Sequence, residues 1–504
     1  MPVTSFGPFQ YDLANTTLER DGQSLAISKR GLLLLDALLE AGGMVVSKDH
    51  LLNRAWLGAV VEESNLTVQI AALRKALGRN KDGNDWIATV PRVGYRLVLP
   101  QSEGPGITAA AGRALVAVMP FANLGGGPDE AGLIAGLVDD IITELSRFRT
   151  FAVIGVKDPA VDAKRAMRDL GVRYVVEGSV RRAGGTLRVA AHLVDATTGE
   201  QLWAERFDDA ATGLFDLQDR ITEAVVGLLE PQILQAEVER VRRKRPENLD
   251  AYELFLRALP FVHGKDSDGY AEGIALLERA IGSNPEFAPA VAYAAWCYER
   301  RITIGLPPLT ANDTKRCLEL VQAALSHGRD DPVVVAICGW LTILIGRDAS
   351  KGLGALRRAM AANPNNLVIL HHAGYANLNF GDLAEASACF RRGYRLSPTS
   401  PDAFYNLTGE GDVQVLQGNY ELGIEWLLRS VATFNEWVVT YWGLSVAYAH
   451  AGRMVEAREA VRKILKLTPH ATVAKLVAGP FRDILQPRAD LFIEGWRKAG
   501  LPES

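Results

Sequence analysis

Cysteine is scarce in this sequence: Cys297, Cys317, Cys338 and Cys389 are the only four in 504 residues. Their spacings of 20, 21 and 51 fit neither a zinc site nor a dense disulfide framework. Apolar, helix-like surroundings mark them as small core residues in a reducing compartment. Long hydrophobic runs are also lacking. The most apolar early stretch, GLLLLDALLEAGG, is interrupted by Asp36 and Glu40 and is too short to span a bilayer. No transmembrane segment is found elsewhere, and MPVTSFGPFQYD lacks the basic region and apolar run of a signal peptide, so a cytoplasmic protein is expected. The net charge is only −4, which gives no global attraction to nucleic acid or anionic membranes; any such contact must come from a local patch.

Enzyme signatures are missing in the same way. Gly125-Gly126-Gly127 lacks the Gly-Lys-Ser/Thr ending of a phosphate loop, and no G-x-G-x-x-G opens the next helix. Asp139-Asp140 could suggest a metal site, but adjacent residues point about 100° apart on a helix, and no His or Cys lies nearby. Neither a nucleophile nor a metal set survives, so no enzyme, no cofactor and no metal are expected.

With 48% hydrophobic and 23% charged residues in 504, the chain reads as a soluble protein of about three or four domains. Residues 1–100 run strands, three helices, then a hairpin. FGPFQYDL, NTTLER and QSLAIS are short extended segments, with Asp21-Gly22 a turn signal between the latter two. SKRGLLLLDALLEAGG is a helix capped by Ser28 and stopped by Gly42-Gly43; SKDHLLNRAW is a second, capped by Ser47. A third covers SNLTVQIAALRKALG, and DWIATV and GYRLVLP are strands joined at Pro91-Arg92-Val93. Residues 101–113, rich in Gly and Ala without periodicity, read as a linker.

Residues 114–245 change character. ALVAVMPF, a helix over EAGLIAGLVDDIITELSRF, and FAVIGV give β-α-β. A helix at AVDAKRAMRDLG, three strands, and a long helix from Leu214 through Pro231 to Arg243 complete a mixed α/β domain. Residues 248–500 are helical and repetitive. Pro364 and Pro398 lie 34 residues apart, as do Asn435 and Pro469, and Gly381, Gly418 and Gly452 each precede one of these markers by 17. Small and bulky positions recur between them, among them Ala386 and Phe390, Gly423 and Leu427, Ala457 and Val461. This is the helix-turn-helix pattern of tetratricopeptide repeats. About six are expected, closed by a cap at 471–500. His371-His372 have no partner motif and read as structural. Most of the repeat aromatics, such as Trp340, Tyr375 and Trp442, read as packing residues, some lining a concave groove where such arrays bind protein or peptide partners. The basic cluster ERVRRKRPE (239–247) reads as a solvated helix end.

The third helix of the first region carries the argument about function. Leu66, Ile70, Leu73 and Leu77 recur at helical spacing and form one apolar stripe. The opposite face should be richly charged. Instead it holds Ser64, Val68, Ala71 and Lys75, flanked by Asn65, Gln69 and Ala72 on one side and Thr67 and Arg74 on the other. Residues 64–81 contain four basic residues and no acidic one. An ordinary surface helix is one reading. The other is a helix that enters the major groove of DNA, which needs a small face bearing hydrogen-bonding groups.

The context of this helix resembles the OmpR/PhoB-type winged-helix DNA-binding domain over about residues 6–99. The V-x-x-x-N-L-x-V-x-I-x-x-L-R-K-A-L helix and the T-V-P-R-x-G-Y-R hairpin are its most specific parts. The resemblance implies that the third helix lies in the major groove and that the hairpin wing reaches the adjacent minor groove. By position, Ser64, Asn65, Val68 and Gln69 would face bases or the groove wall. Arg74, Thr67, Lys48 and Trp56 would hold phosphates, Lys75 lies on the same face, and Arg92 is the minor-groove candidate. Pro91 stands where many members carry the wing arginine, and Ala71 and Ala72 where members often carry arginine. Fewer phosphate contacts per monomer would favour a homodimer or tandem sites. Loop 57–63 corresponds to the segment that often meets RNA polymerase.

VMPFANL, GLVDDIITELSRF, GVRYVVEGSVRR and HLVDATTGEQLWAERFD resemble the TolB N-terminal-like domain, found in bacterial regulators and beside some cyclase catalytic domains. The expected chain is therefore multidomain: a winged helix-turn-helix (α+β), a TolB-N-like α/β domain and an all-α tetratricopeptide solenoid. It reads as a bacterial transcription regulator that binds double-stranded DNA, with control from the C-terminal side and no membrane contact. The alternative is a tetratricopeptide adaptor whose winged helix binds protein, such as RNA polymerase, in place of specific DNA.

Overall fold

Short alternating segments and three apolar-striped helices build the N-terminal part of the computed structural model. The structure describes residues 4–6, 8–12, 17–20, 23–25, 27–40, 46–56, 63–79, 85–90, 94–97, 113–125, 128–156, 171–183, 186–210, 214–244, 249–262, 267–380, 382–398, 400, 402–478 and 489–504. The chain divides into two units, one essentially Met1–Ala111, the other Gly112–Met167 with Val172–Ser504.

In the first unit, β1 (Thr4–Phe6), β2 (Phe9–Asp12), β3 (Thr17–Arg20) and β4 (Gln23–Ser24) form an antiparallel sheet in sequence order. Arg20 pairs with Gln23. Helix α1 (Lys29–Glu40) starts where the Ser28 hydroxyl accepts the Gly31 N–H at 3.0 Å. Strand β5 (Val46–Ser47) leads into α2 (Lys48–Trp56), whose His50 N–H is accepted by the Ser47 hydroxyl at 3.2 Å. Both caps stand where the sequence places them. Helix α3 (Glu63–Leu77) is followed by β6 (Ile87–Val90) and β7 (Gly94–Leu97), an antiparallel hairpin joined on its far side by β5. A Cβ on Gly94 would stand 1.8 Å from the Val46 carbonyl oxygen, so only glycine lets β7 approach β5. The core gathers Phe9, Leu18, Leu35, Leu38, Leu51 and Trp86 around the α3 stripe. Asp21-Gly22, Gly42-Gly43, residues 57–62 and Pro91-Arg92-Val93 lie outside the described residues.

The second unit begins with a six-stranded mixed sheet. Strand β8 (Ala114–Val118) and β10 (Phe151–Gly155) are parallel across α4 (Pro128–Leu145), and the short β9 (Ala122–Asn123) lies along β11. Strand β11 (Tyr174–Ala183) is parallel to β8 and opens an antiparallel meander with β12 (Thr186–Asp195) and β13 (Gln201–Ala210). This is the β-α-β start and meander finish expected from the sequence; the helix expected over AVDAKRAMRDLG falls outside the described residues. Helix α5 (Leu214–Arg242) carries Pro231 within it and packs on α4 and the sheet.

Six helix pairs follow among the described residues. They are α6 (Ala251–Val262) with α7 (Ser267–Ser283), α8 (Ala288–Thr303) with α9 (Asp313–His327), and α10 (Pro332–Leu344) with α11 (Ala349–Ala362). Then come α12 (Leu367–Phe380) with α13 (Leu383–Leu396), α14 (Ala403–Leu416) with α15 (Tyr420–Thr433), and α16 (Val438–His450) with α17 (Met454–Leu467). The recurring small and bulky residues Ala386, Phe390, Leu427, Ser445 and Ala457 are wholly buried, as close packing of paired helices requires. Helices α18 (Val473–Ala478) and α19 (Ala489–Ala499) close the array, with Trp496 in the core shared with α16 and α17. All four cysteines are free and buried.

Candidate nucleic-acid interface

Helix α3 is the element that presents the candidate surface. Leu66, Ile70, Leu73 and Leu77 are at most 1% exposed, so the stripe read from the sequence is the face that anchors the helix. Turning away from the core, Ser64, Asn65, Thr67, Val68, Ala71, Ala72 and Lys75 are all exposed. Val68 is 64% exposed, an aliphatic side chain left in water on a helix with ample polar neighbours. The small residues keep this surface low, which suits entry into a major groove about 12 Å wide. Gln69 is half-buried, and its Oε1 accepts the Ser28 hydroxyl at 2.7 Å. That bond ties α3 to the start of α1 and fixes the direction of the amide.

Two of the residues expected at phosphates, Arg74 and Trp56, have partners within the fold. Arg74 turns inward: its Nε donates to the Ile87 carbonyl at 2.7 Å and a terminal nitrogen to the Thr89 hydroxyl at 2.6 Å. Asp85 lies 3.8 Å away and the Tyr95 ring is 5.9 Å below the guanidinium. Arg74 is therefore a clamp between α3 and the β6–β7 hairpin, with its Nε and one terminal nitrogen engaged within the fold. Trp56 is 9% exposed and belongs to the core, with the Arg30 guanidinium 5.4 Å from its ring. Its body supports α2, and little of it remains for a ligand. Lys48 stands half-buried at the first turn of α2, just after the Ser47 cap. Arg92 lies outside the described residues.

The inward role of Arg74 escaped the sequence because its partners are 13 and 15 residues away and depend on how the hairpin closes. One signal was available: Arg74 sits on the flank of the apolar stripe, next to Leu73. A buried charge in this unit was equally hidden. Asp36, within the apolar α1, accepts Arg54 at 3.0 Å and so ties α1 to α2.

Comparison with known proteins now bears on this geometry. Residues 22–97 match the family described as "Transcriptional regulatory protein, C terminal", and residues 368–400 match "Tetratricopeptide repeat". The chain is similar to the putative adenylate cyclase 3 of Rhizobium meliloti, 35% identical over 183 residues, 35% of this chain and 31% of that protein. It is similar to the transcriptional activator CadC of Escherichia coli, 33% identical over 100 residues, 20% of each. Similarity to the transcriptional regulator HilA of Salmonella typhi is weaker but longer, 22% over 397 residues, 76% of this chain and 68% of HilA. The chain thus spans under a third of the first relative and a fifth of the second. The N-terminal region belongs to the OmpR/PhoB-type winged-helix family: it is a transcriptional-regulator DNA-binding domain homologous to those of CadC and HilA, joined in this chain to a tetratricopeptide array.

Proposed function

We propose that this chain is a sequence-specific DNA-binding transcriptional regulator, acting in the cytoplasm and controlled by a partner or ligand on its C-terminal domains. The observation that carries the reading is the exposed face of α3, which is small and polar where an ordinary surface helix would be charged. On this reading Ser64, Asn65, Val68 and Gln69 meet the groove, Lys48, Thr67 and Lys75 meet phosphates, and Arg92 enters the minor groove. Residues 114–245 act as a TolB N-terminal-like coupling domain, and 248–500 as the sensor. Partner binding shifts a population of reading-competent molecules that already exists.

An enzyme reading, prompted by the relative named a putative adenylate cyclase, would need the Asp139-Asp140 pair to converge on a metal. Asp140 instead accepts the Gln218 amide of α5, while Asp139 is exposed. We read the chain as a non-enzyme.

The test is binding of full-length protein, and of residues 1–111, to the gene's own upstream DNA against scrambled competitor across a salt series. Selective binding is expected from both. Each phosphate neutralised steepens the log-affinity against log-salt plot by about 0.9, so two lysines and Arg92 per monomer give a shallow slope. Changing Gln69 and Arg92 together to Ala should remove selectivity, since one good base contact carries about 1–3 kcal/mol of discrimination. Equal affinity for scrambled DNA, together with an empty genome-wide footprint, would favour the adaptor reading.

A further inference from the structure

The array holds a cavity of about 560 Å³, the size of a small-molecule site. Its wall comes from elements far apart in sequence: Trp340 of α10, Tyr375 of α12, Trp442 of α16 and Trp496 of α19. Residues 302–307, at the end of α8 and just beyond it, also line it, and Ile304 packs against the core of the last repeat and cap. A cavity of this size suits a small molecule better than a long extended peptide.

Charge is distributed unevenly around this space. The Arg300 guanidinium is held within the wall, 4.8 Å from the Trp437 ring and 4.9 Å from Tyr405, with His371 Nε2 at 3.1 Å. Glu299 lies 3.9 Å from its Nε, so the two charges offset each other. Asp412 has no such neighbour. It is 6% exposed on the apolar α14, it lines the cavity, and its Oδ1 has no hydrogen-bond partner among the described residues. Burial alone holds its carboxyl well above the usual carboxylate range, with no basic side chain acting against that shift. Lys475 stands exposed at the mouth. A buried carboxyl without a partner is costly and calls for an occupant. Aromatic faces around it attract organic cations.

We propose that this cavity binds a small organic cation, an amine with an apolar body, whose ammonium group pairs with Asp412 while the aromatic wall receives the rest. That the site controls DNA reading rests on the function proposed above; the binding itself does not.

The experiment titrates full-length protein with phenethylamine, 2-phenylethanol and phenylacetate, followed by tryptophan fluorescence and calorimetry. Phenethylamine should bind at least about tenfold tighter than the isosteric alcohol, as a charge-assisted bond implies, and phenylacetate weakest. Asp412→Asn should erase the amine's advantage while keeping the melting transition. No saturable amine binding up to about 10 mM, or equal affinity for the alcohol, overturns the proposal. So does phenylacetate binding tightest, which would make Arg300 the anchor, or amine binding unchanged in Asp412→Asn. The wild-type comparison stands even if the variant misfolds. Upstream-DNA affinity is measured in the same samples with and without amine. A change in the wild type supports ligand control; binding without a change keeps the site and overturns its regulatory role.

Discussion

Arg74 occupies a helix face open to approach, yet its donors point into the fold, toward Ile87 and Thr89. Its bonds decide whether the β6–β7 hairpin keeps its place against α3. Removing it leaves the Ile87 carbonyl without its donor and frees the hairpin, a loss of about 1–3 kcal/mol for a half-buried charge-assisted network. Arg74→Ala should therefore lower the urea midpoint of residues 1–111. Arg74→Lys should fail to restore it, because a single ammonium cannot reproduce the forked geometry. An unchanged midpoint accompanied by a shallower salt slope for DNA binding would return Arg74 to the phosphate role. The contrast with Val68 is instructive. Nothing among the described residues of the unit explains an aliphatic residue 64% exposed, whereas Arg74 has partners within the fold.

Among the elements, α5 touches both the α/β sheet with its helix α4 and the array, at α6 and α13. Gly227 lets it press against α13, since a Cβ there would meet the Leu396 carbonyl oxygen at 3.0 Å. Three residues on, Glu230 is buried, and burial with the nearby charge of Asp402 pushes its carboxyl up to about 7. A carboxyl raised in the folded state favours the fold most below pH 4.5, its ordinary value. That contribution is lost as pH rises through about 7, on the order of 3 kcal/mol in all. Urea midpoints of residues 113–504 should fall between pH 5 and 8, and Glu230→Gln should flatten the fall and be the more stable protein at pH 8. A parallel fall in both proteins would remove Glu230 as its cause. None of this was readable in the sequence, which displays Glu230 as one more polar residue on a long helix. What could be read were features written in local spacing: the α3 stripe, the Ser28 and Ser47 caps, the β-α-β start and the period of 34 residues. Burial repeats with the helix or strand, and so leaves a period. The Arg74 clamp, the Gly227 contact and the Asp412 cavity depend on residues brought together from distant turns, and no period records them.

At the scale of the molecule, the α/β domain and the array form one body within the second unit. Their contacts bridge long stretches of chain. Asn365 donates to Glu144 of α4 at 3.1 Å and accepts from Arg392 at 2.8 Å, and Arg392 lies 3.1 Å from Glu223 of α5. Tyr252 donates to the Thr150 carbonyl at 2.8 Å. Glu237, 1% exposed, gathers Arg173, Tyr174 and Arg240 where α5 runs into the first repeat. The basic cluster after it is paired inside the chain as well, Lys244 with Glu253 and Arg242 with Glu239. A displacement in the array would be felt at α4 and α5 through this polar chain and the apolar contact of Gly227 with Leu396. Residues 113–504 should then unfold in a single transition, coincident by tryptophan fluorescence and by helical circular dichroism. Residues 248–504 alone should unfold at lower urea, because Leu396 and Tyr252 lose their cover and Arg392 loses Glu223. Two separate transitions in the longer piece would mean that the domains are merely adjacent. In that case a signal from the array would have to bypass the α/β domain on its way to the winged helix.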